Sequence, residues 1–388
     1  MILGLNLSHE ASIALTDERG KIIYAIEEER LSRSKGDNRF PVRALETLKS
    51  INLNEAISRV VIGNTNLQEP RDAARFALTI ENYLIDKNLS SRIKTNWVPG
   101  FPIPDRLNSS DPKNSIKNSV VRFLQQEMEY SHSQISRIKE NFDWVKHHDG
   151  HLGSGMGVTT DEPTLVLSID GEGDWESGAV ALAINRVLKV RKSIASHLDS
   201  LGHLYSEVTK AYGFKPSRHE GKITGLAAYG KFSNAAEILM RAVRVKNGTI
   251  ELRYVKNNDM AKITSKLRSV GLAKKVFTSL EDIVSQARDS SLIYPDLAFA
   301  IQYVLEESVC EIVRFWTSDF GVRNVSLCGG VFANVKLNQK VSEIEGLGKV
   351  SVFPNMGDGG LSLGGIWHQL SVEGRLGQNL FEDMYLSE

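Results

Sequence analysis

Cysteine is nearly absent from this 388-residue chain. Cys310 and Cys328 are the only two, and neither belongs to a CxxC pair. That excludes a disulfide framework and a zinc ribbon, fits a reducing compartment, and leaves both as expected core residues. Net charge is also absent, with 47 Lys and Arg set against 47 Asp and Glu. The counterion-release term that dominates non-specific nucleic-acid binding is therefore missing, and DNA or RNA is not an expected partner. No apolar run approaches the roughly 20 residues that span a bilayer, so no membrane is expected. The opening MILGLNLSHEAS has neither a basic n-region nor a long h-region. The expectation is no targeting signal and a cytoplasmic location. What remains is an ordinary globular composition, long enough for two or three core-bearing units.

The chain begins with a meander of three short strands, Ile2–Leu7, Ala11–Thr16 and Lys21–Glu27, each bounded by polar or glycine punctuation. Helical patterns over Val42–Ile51, Arg71–Leu84, Ser115–Tyr130 and His147–Val158, with a strand at Arg59–Gly63, predict an α/β unit. Between them Asn96–Ser110 reads as a long loop or lid. A second beginning lies at Thr164, where TLVLSIDGEGDWESGAVALAINRVLKVRKSI repeats the opening plan. Helices follow near Ser200–Tyr212 and Lys222–Tyr229, then a charged stretch, a long helix from Asp296 to about Phe320, strands at Asn324–Leu327 and Lys349–Phe353, and a glycine-rich helix start at Gly357–Gly365. The expected organisation is a first half-domain over 1–160, a second over 161–375 with a variable insertion at 233–290, and a linker-like tail over 376–388. Two such halves around a nucleotide cleft is the plan of the actin, Hsp70 and sugar-kinase (ASKHA) folds.

Of nine histidines, three fall within Lys146-His147-His148-Asp149-Gly150-His151. His147 and His151 are four apart, so on a helix they share a face and can converge on one metal. The pair is half a site. Asp170, in Asp170-Gly171-Glu172-Gly173-Asp174, and Asp358, in Gly357-Asp358-Gly359-Gly360, each follow a strand and can supply carboxylates. A polar capping turn for the histidines and plain DG turns for the aspartates are the alternatives. Gly171 and Gly173 would let backbone N–H groups approach a phosphate. Gly329-Gly330, followed by Asn334, offers a second such turn at a helix start, with tight packing as its alternative. In Glu220-Gly221-Lys222-Ile223-Thr224-Gly225, Glu220 could accept from ribose hydroxyls, Lys222 could neutralise phosphate and Gly225 allows close approach; a solvated ion pair is the bland reading. The run from Glu27 to Lys35 would ordinarily be a charged surface, but it continues directly from the third strand.

The order LGLNxxHxAS, EEERxxRxK, HHxxHxxS, LSIDGxGD, SLGxxYxxxTxxxGF, EGKxxGLAAYG, CGGVxxN and PxxGDGGLSLG resembles the O-carbamoyltransferases of the NodU/CmcH/TobZ type, from residue 1 to about residue 370. The resemblance implies a TsaD-like ASKHA domain that moves a carbamoyl group from carbamoyladenylate to an acceptor hydroxyl. It implies metal ligands His147, His151, Asp170 and Asp358, holding iron, with zinc or manganese as alternatives. It places His9 and Lys35 at the transfer centre. One departure is the short Leu7-Ser8 approach to His9, where some members carry an extra aspartate. Family members usually continue into a YrdC-like domain that makes carbamoyladenylate from carbamoyl phosphate and ATP with Mg²⁺. The tail at Phe381–Glu388 resembles the linker into it, which leaves open a separate YrdC-like partner, removal of that domain, or its loss. A homodimer is a further possible partner. The acceptor could be a sugar, a glycolipid or a modified nucleobase, met by Asn96–Ser110 or Ser233–Ser290. A non-catalytic nucleotide- and metal-binding subunit and a sugar kinase or ATPase are the competing readings; exchangeable magnesium alone would favour the kinase.

Overall fold

Three consecutive strands open the chain where the apolar runs predict them, β1 (Ile2–Asn6), β2 (Ser12–Thr16) and β3 (Ile22–Glu27). This computed structural model describes residues 1–8, 10–51, 55–64, 112–257, 260–262, 265–266 and 276–380. The expected helix Arg71–Leu84 and loop Asn96–Ser110 lie outside them. β2 pairs antiparallel with β1 and β3, while β4 (Arg59–Ile62) and then β5 (Phe142–Trp144) add in parallel beyond β1. The resulting order, β3-β2-β1-β4-β5, makes β1 central, and all five of its residues are buried. A strand covered on both faces has no solvent side to alternate toward, hence the unbroken apolar run. Around this sheet lie α1 (Glu28–Ser32), α2 (Val42–Thr47), α3 (Pro112–Glu127), α4 (His132–Glu140) and α5 (His147–Met156). Leu3, Leu5, Val60 and Ile62 share a core with Leu45, Phe123 and Ile138 from the helices. Three elements of this unit, α1, α4 and β5, are additions to the sequence reading. The start of α4 is a capping box in which Ser131 accepts from the Gln134 N–H while Gln134 accepts from the Ser131 N–H at 2.8 Å.

The plan then recurs. β6 (Thr164–Gly173), β7 (Glu176–Ile184) and β8 (Val187–Ser196) form a second antiparallel meander, followed by α6 (Leu201–Ala211) and α7 (Glu220–Ala227). The stretch expected as a variable insertion contains α8 (Asn234–Ala242), a hairpin of β9 (Val243–Lys246) and β10 (Thr249–Leu252), and α9 (Leu280–Asp289). The long α10 (Asp296–Phe320) leads to β11 (Asn324–Cys328), α11 (Val335–Ser342) and β12 (Val350–Val352). β11 and β12 extend the sheet in parallel beyond β6, giving β12-β11-β6-β7-β8, the same arrangement as the first sheet. The fold is duplicated α/β, as expected. Both cysteines are buried.

The boundaries differ from the expected 1–160 and 161–375. One compact unit is Met1–Gly157 together with Gly357–Glu388, and the other is Val158–Met356. The reason is α12 (Leu361–Val372), which packs on α5, β1, β2 and β4 of the first unit. The segment after it, expected as a tail, is also tied to that unit. Gly377 N–H donates to the Arg19 carbonyl, Ile22 N–H donates to that of Leu380, and Leu380 is buried. Residues 381–388 lie outside the described residues. Among the described residues, no helix is long and apolar enough to cross a membrane.

Candidate active site

The first unit builds a buried cluster from α5 and the turn before α12. His147 and His151 stand one helical turn apart on α5, with their Nε2 atoms 3.1 Å from each other. Asp358 opens the 3₁₀ turn Asp358–Gly360, and its Oδ1 lies 3.4 Å from His151 Nε2 and 3.8 Å from His147 Nε2. All three side chains are at most 3% exposed. Glycine makes this convergence possible. A Cβ on Gly153 of α5 would sit 1.9 Å from the Gly364 carbonyl oxygen, and one on Gly364 of α12 would sit 2.1 Å from that of Gly150. The two helix backbones touch, and no larger residue fits at the crossing.

Two imidazole nitrogens and a carboxylate oxygen within a few ångströms, all shielded from water, are the donor set of a divalent transition-metal site. A buried carboxylate facing two imidazoles is also the arrangement in which a cation offsets the cost of burial. The residues present therefore fit a metal. The other face of Asp358 is fully engaged, since Oδ2 accepts from Ser8 Oγ at 2.9 Å and its carbonyl accepts from Asn6 Nδ2 at 2.7 Å. The sequence reading held Asn6 within LGLNxxHxAS and Ser8 within the approach to His9 but gave neither a role, although an asparagine ending an otherwise apolar buried strand is a signal.

His9 lies outside the described residues. Lys35 is exposed on the turn after α1, outside the buried cluster, where Gly36 N–H donates to Glu29 Oε2 at 2.5 Å. The loop that carries Lys35 is nevertheless held against the start of β2: Ala11 N–H donates to the Asp37 carbonyl at 2.9 Å, and the Ala11 carbonyl accepts from Glu28 N–H at 2.8 Å. Burial raises the pKa of Asp37, but its pairing with Arg39 and a hydrogen bond from Ser32 outweigh this and hold the carboxyl down at about 2.

Asp170 belongs to the second unit, where its Oδ1 accepts from the Gly330 N–H at 3.1 Å. Gly329 has φ 92°, and a Cβ there would lie 2.3 Å from the Ile169 carbonyl oxygen, so the Gly329-Gly330 turn lies directly against the end of β6. Gly171 lies beside His203, whereas Gly173 pairs with Glu176 and closes the β6–β7 hairpin. Glu220 accepts from Ser206 Oγ at 2.9 Å and from Ser217 N–H at 2.7 Å. Lys222 is exposed, its ammonium 4.8 Å from the centre of the Phe214 ring, and Gly225 faces open space. Asn334 caps α11 through Leu337 N–H and donates from Nδ2 to Gln302 at 2.7 Å and Thr224 at 3.3 Å. The diglycine turn and α7 are thus joined through one side chain. Tyr205 completes this network, its hydroxyl 2.9 Å from Thr224 Oγ1 and 3.0 Å from Gln302 Oε1, and burial pushes its pKa up. Tyr205 entered the sequence reading only as the tyrosine of SLGxxYxxxTxxxGF, without a role, and Gln302 did not enter it; a glutamine within the apolar AFAIQYVL of α10 is the signal that marks it.

The family model described as Carbamoyltransferase N-terminus matches residues 1–366. The chain belongs to that family. The histidine–aspartate cluster and the second-unit network both fall inside the matched span. Uncharacterized protein sll1178 of Synechocystis is 26% identical over 95% of this chain and 57% of its own length. Nodulation protein NolNO of Sinorhizobium fredii is 25% identical over 96% of this chain and 47% of its own length. The chain thus spans about half the length of the curated relatives it matches. Among solved structures, HypF of T. kodakarensis matches with a TM-score of 0.47 and 14% identity over 97% of this chain and 49% of that one.

Proposed function

We propose that this chain transfers a carbamoyl group from carbamoyladenylate to an acceptor hydroxyl. The observation that carries the reading is the convergence of His147, His151 and Asp358 in a chain of the carbamoyltransferase family. Carbamoyladenylate is a mixed anhydride whose AMP leaves readily. The work left to the protein is to orient the hydroxyl and polarise the carbamoyl oxygen. His147, His151 and Asp358, with Asp170 as the further ligand that the resemblance implies, would hold a divalent metal, iron in this reading, which when bound supplies a Lewis acid.

His9 takes the proton of the acceptor hydroxyl as that oxygen bonds to the carbamoyl carbon. The bond from that carbon to the phosphate oxygen breaks, AMP leaves with the electron pair, and a carbamate ester remains. Lys35 offsets negative charge that develops during transfer. The adenylate is held by the second unit: the Gly171 turn approaches its phosphate and Gly225 leaves room beside α7, while the diglycine turn, whose Gly329 and Gly330 N–H groups donate to the Met356 carbonyl and to Asp170, shapes the wall beside it. Glu220 and Asn334 fix the starts of α7 and α11 around it. The donor comes from carbamoyl phosphate and Mg-ATP through a YrdC-like domain or partner.

The test supplies the 388-residue chain with carbamoyl phosphate, Mg-ATP, a YrdC-like protein and a panel of sugars, and follows AMP release and carbamate ester formation. Transfer is expected only with the YrdC-like protein present, and should fall by at least about a hundredfold in His151→Ala and Asp358→Ala, the scale on which losing transition-state electrostatics acts. Equal rates in wild type and both variants would sink the reading. Formation of carbamoyladenylate by this chain alone would overturn its two-component form.

A further inference from the structure

Asn6 ends β1 with its side chain completely buried and hydrogen-bonded at both ends of its amide. Nδ2 donates to the Glu10 carbonyl at 3.0 Å and to the Asp358 carbonyl at 2.7 Å, while Oδ1 lies 3.2 Å from Ser8 N and 3.0 Å from Ser8 Oγ. Two carbonyl oxygens on one side and an N–H on the other fix which way the amide points. The Ser8 hydroxyl has one proton, and among the described residues Asn6 Oδ1 and Asp358 Oδ2, the latter at 2.9 Å, lie within reach of it. The ionised oxygen is the stronger acceptor, so the proton goes to Asp358. That bond holds Oδ2 and leaves Oδ1 facing the histidines. Glu10 takes φ 75°, a strained conformation for a residue with a side chain. It is held there by Asn6 at its carbonyl and by the Gly359 N–H, 3.2 Å from its Oε2.

From this network we infer that Ser8 and Asn6 are positioning residues for the metal carboxylate. Ser8 sets the rotation of Asp358, and Asn6 ties Ser8, Glu10 and the Asp358 backbone to the end of β1. Cross-strand placement supports the assignment: Ser12 pairs with Asn6 in the sheet, and its hydroxyl donates to the Gly359 carbonyl at 2.8 Å. The end of β1 and the start of β2 thus present a polar edge to the turn that carries Asp358. The inference rests on the metal reading above and extends it to the residues that orient the ligands.

The test measures binding of Fe²⁺ under anaerobic conditions, and of Zn²⁺, to the full chain by competition with a chromophoric chelator. Loss of an outer-shell partner typically weakens metal binding roughly 10- to 100-fold. Ser8→Ala should bind both ions weaker by that factor with an unchanged thermal melt, and Ser8→Thr, which keeps the hydroxyl, should restore affinity. Asn6→Asp, which sets carboxylate oxygen against two carbonyls, should lose more. Ser8→Ala binding as tightly as wild type overturns the positioning role even if Asn6→Asp fails to fold. A wild-type chain that takes up neither ion overturns the metal reading together with it.

Discussion

Glu28 is a buried carboxylate whose ionisation the fold opposes. It is 3% exposed, and burial pushes its pKa up to about 7 although the Ala44 and Arg43 N–H groups donate to it. A carboxyl whose folded pKa exceeds its unfolded value favours folding while protonated. That contribution is complete below the unfolded value of 4.5 and is lost as pH rises through about 7. Glu28→Gln keeps the neutral shape at every pH. Its stability relative to wild type should therefore increase by about 3 kcal/mol between pH 4.5 and pH 8. Urea unfolding of both proteins at the two ends of that window checks this, and a difference independent of pH would sink it. At this scale the sequence was legible wherever spacing carried information. His147 and His151 were visible as a pair because a helix gives four-residue spacing a meaning. The roles of Asn6 and Ser8 were not, because their partner Asp358 lies 352 and 350 residues away and no local period connects them.

The crossing of α5 and α12 shows how one contact can serve both packing and chemistry. α5 carries the histidines, and the turn that starts α12 carries Asp358. Adding a methyl group at Gly153, directly against the Gly364 carbonyl, must push the helices apart. Gly153→Ala should cost roughly 1–3 kcal/mol or more of stability, the usual range for overpacking, and should weaken metal uptake as well because it moves the two ligand sources separately. Thermal melts and metal titration of the same sample check both effects; a stable variant with intact metal affinity would show that the crossing yields without cost. Gly357–Gly365 read in sequence as a glycine-rich helix start, and Gly364 and Gly365 within it serve helix packing, which composition alone does not reveal. The serine and glutamine of the α4 capping box were readable by rule, whereas three-residue β5 was too short to carry a period.

For the whole molecule, the duplicated plan was legible because a meander of three strands recurs, with five or six residues per strand the first time and nine or ten the second, and both sheets have the same order. The domain boundary was not legible, because it depends on where α12 packs and not on what it is made of. That placement sets a folding expectation for each unit. Val158–Met356 is continuous and contains its own core from Leu165 to Val341, so as a fragment it should unfold in one cooperative transition. Met1–Gly157 alone lacks α12, from which Ile366, Trp367 and Leu370 are fully buried and Trp367 Nε1 donates to the Gly20 carbonyl at 2.8 Å. Burying three such side chains contributes on the order of 5–9 kcal/mol, comparable with the whole stability of a typical domain. The fragment 1–157 should therefore show no cooperative melt by circular dichroism, and joining 357–380 to it through a flexible linker should restore one. If 1–157 melted cooperatively without that segment, α12 would be dispensable to the unit that holds the histidines, and the close packing that brings Asp358 to them would not be what stabilises it.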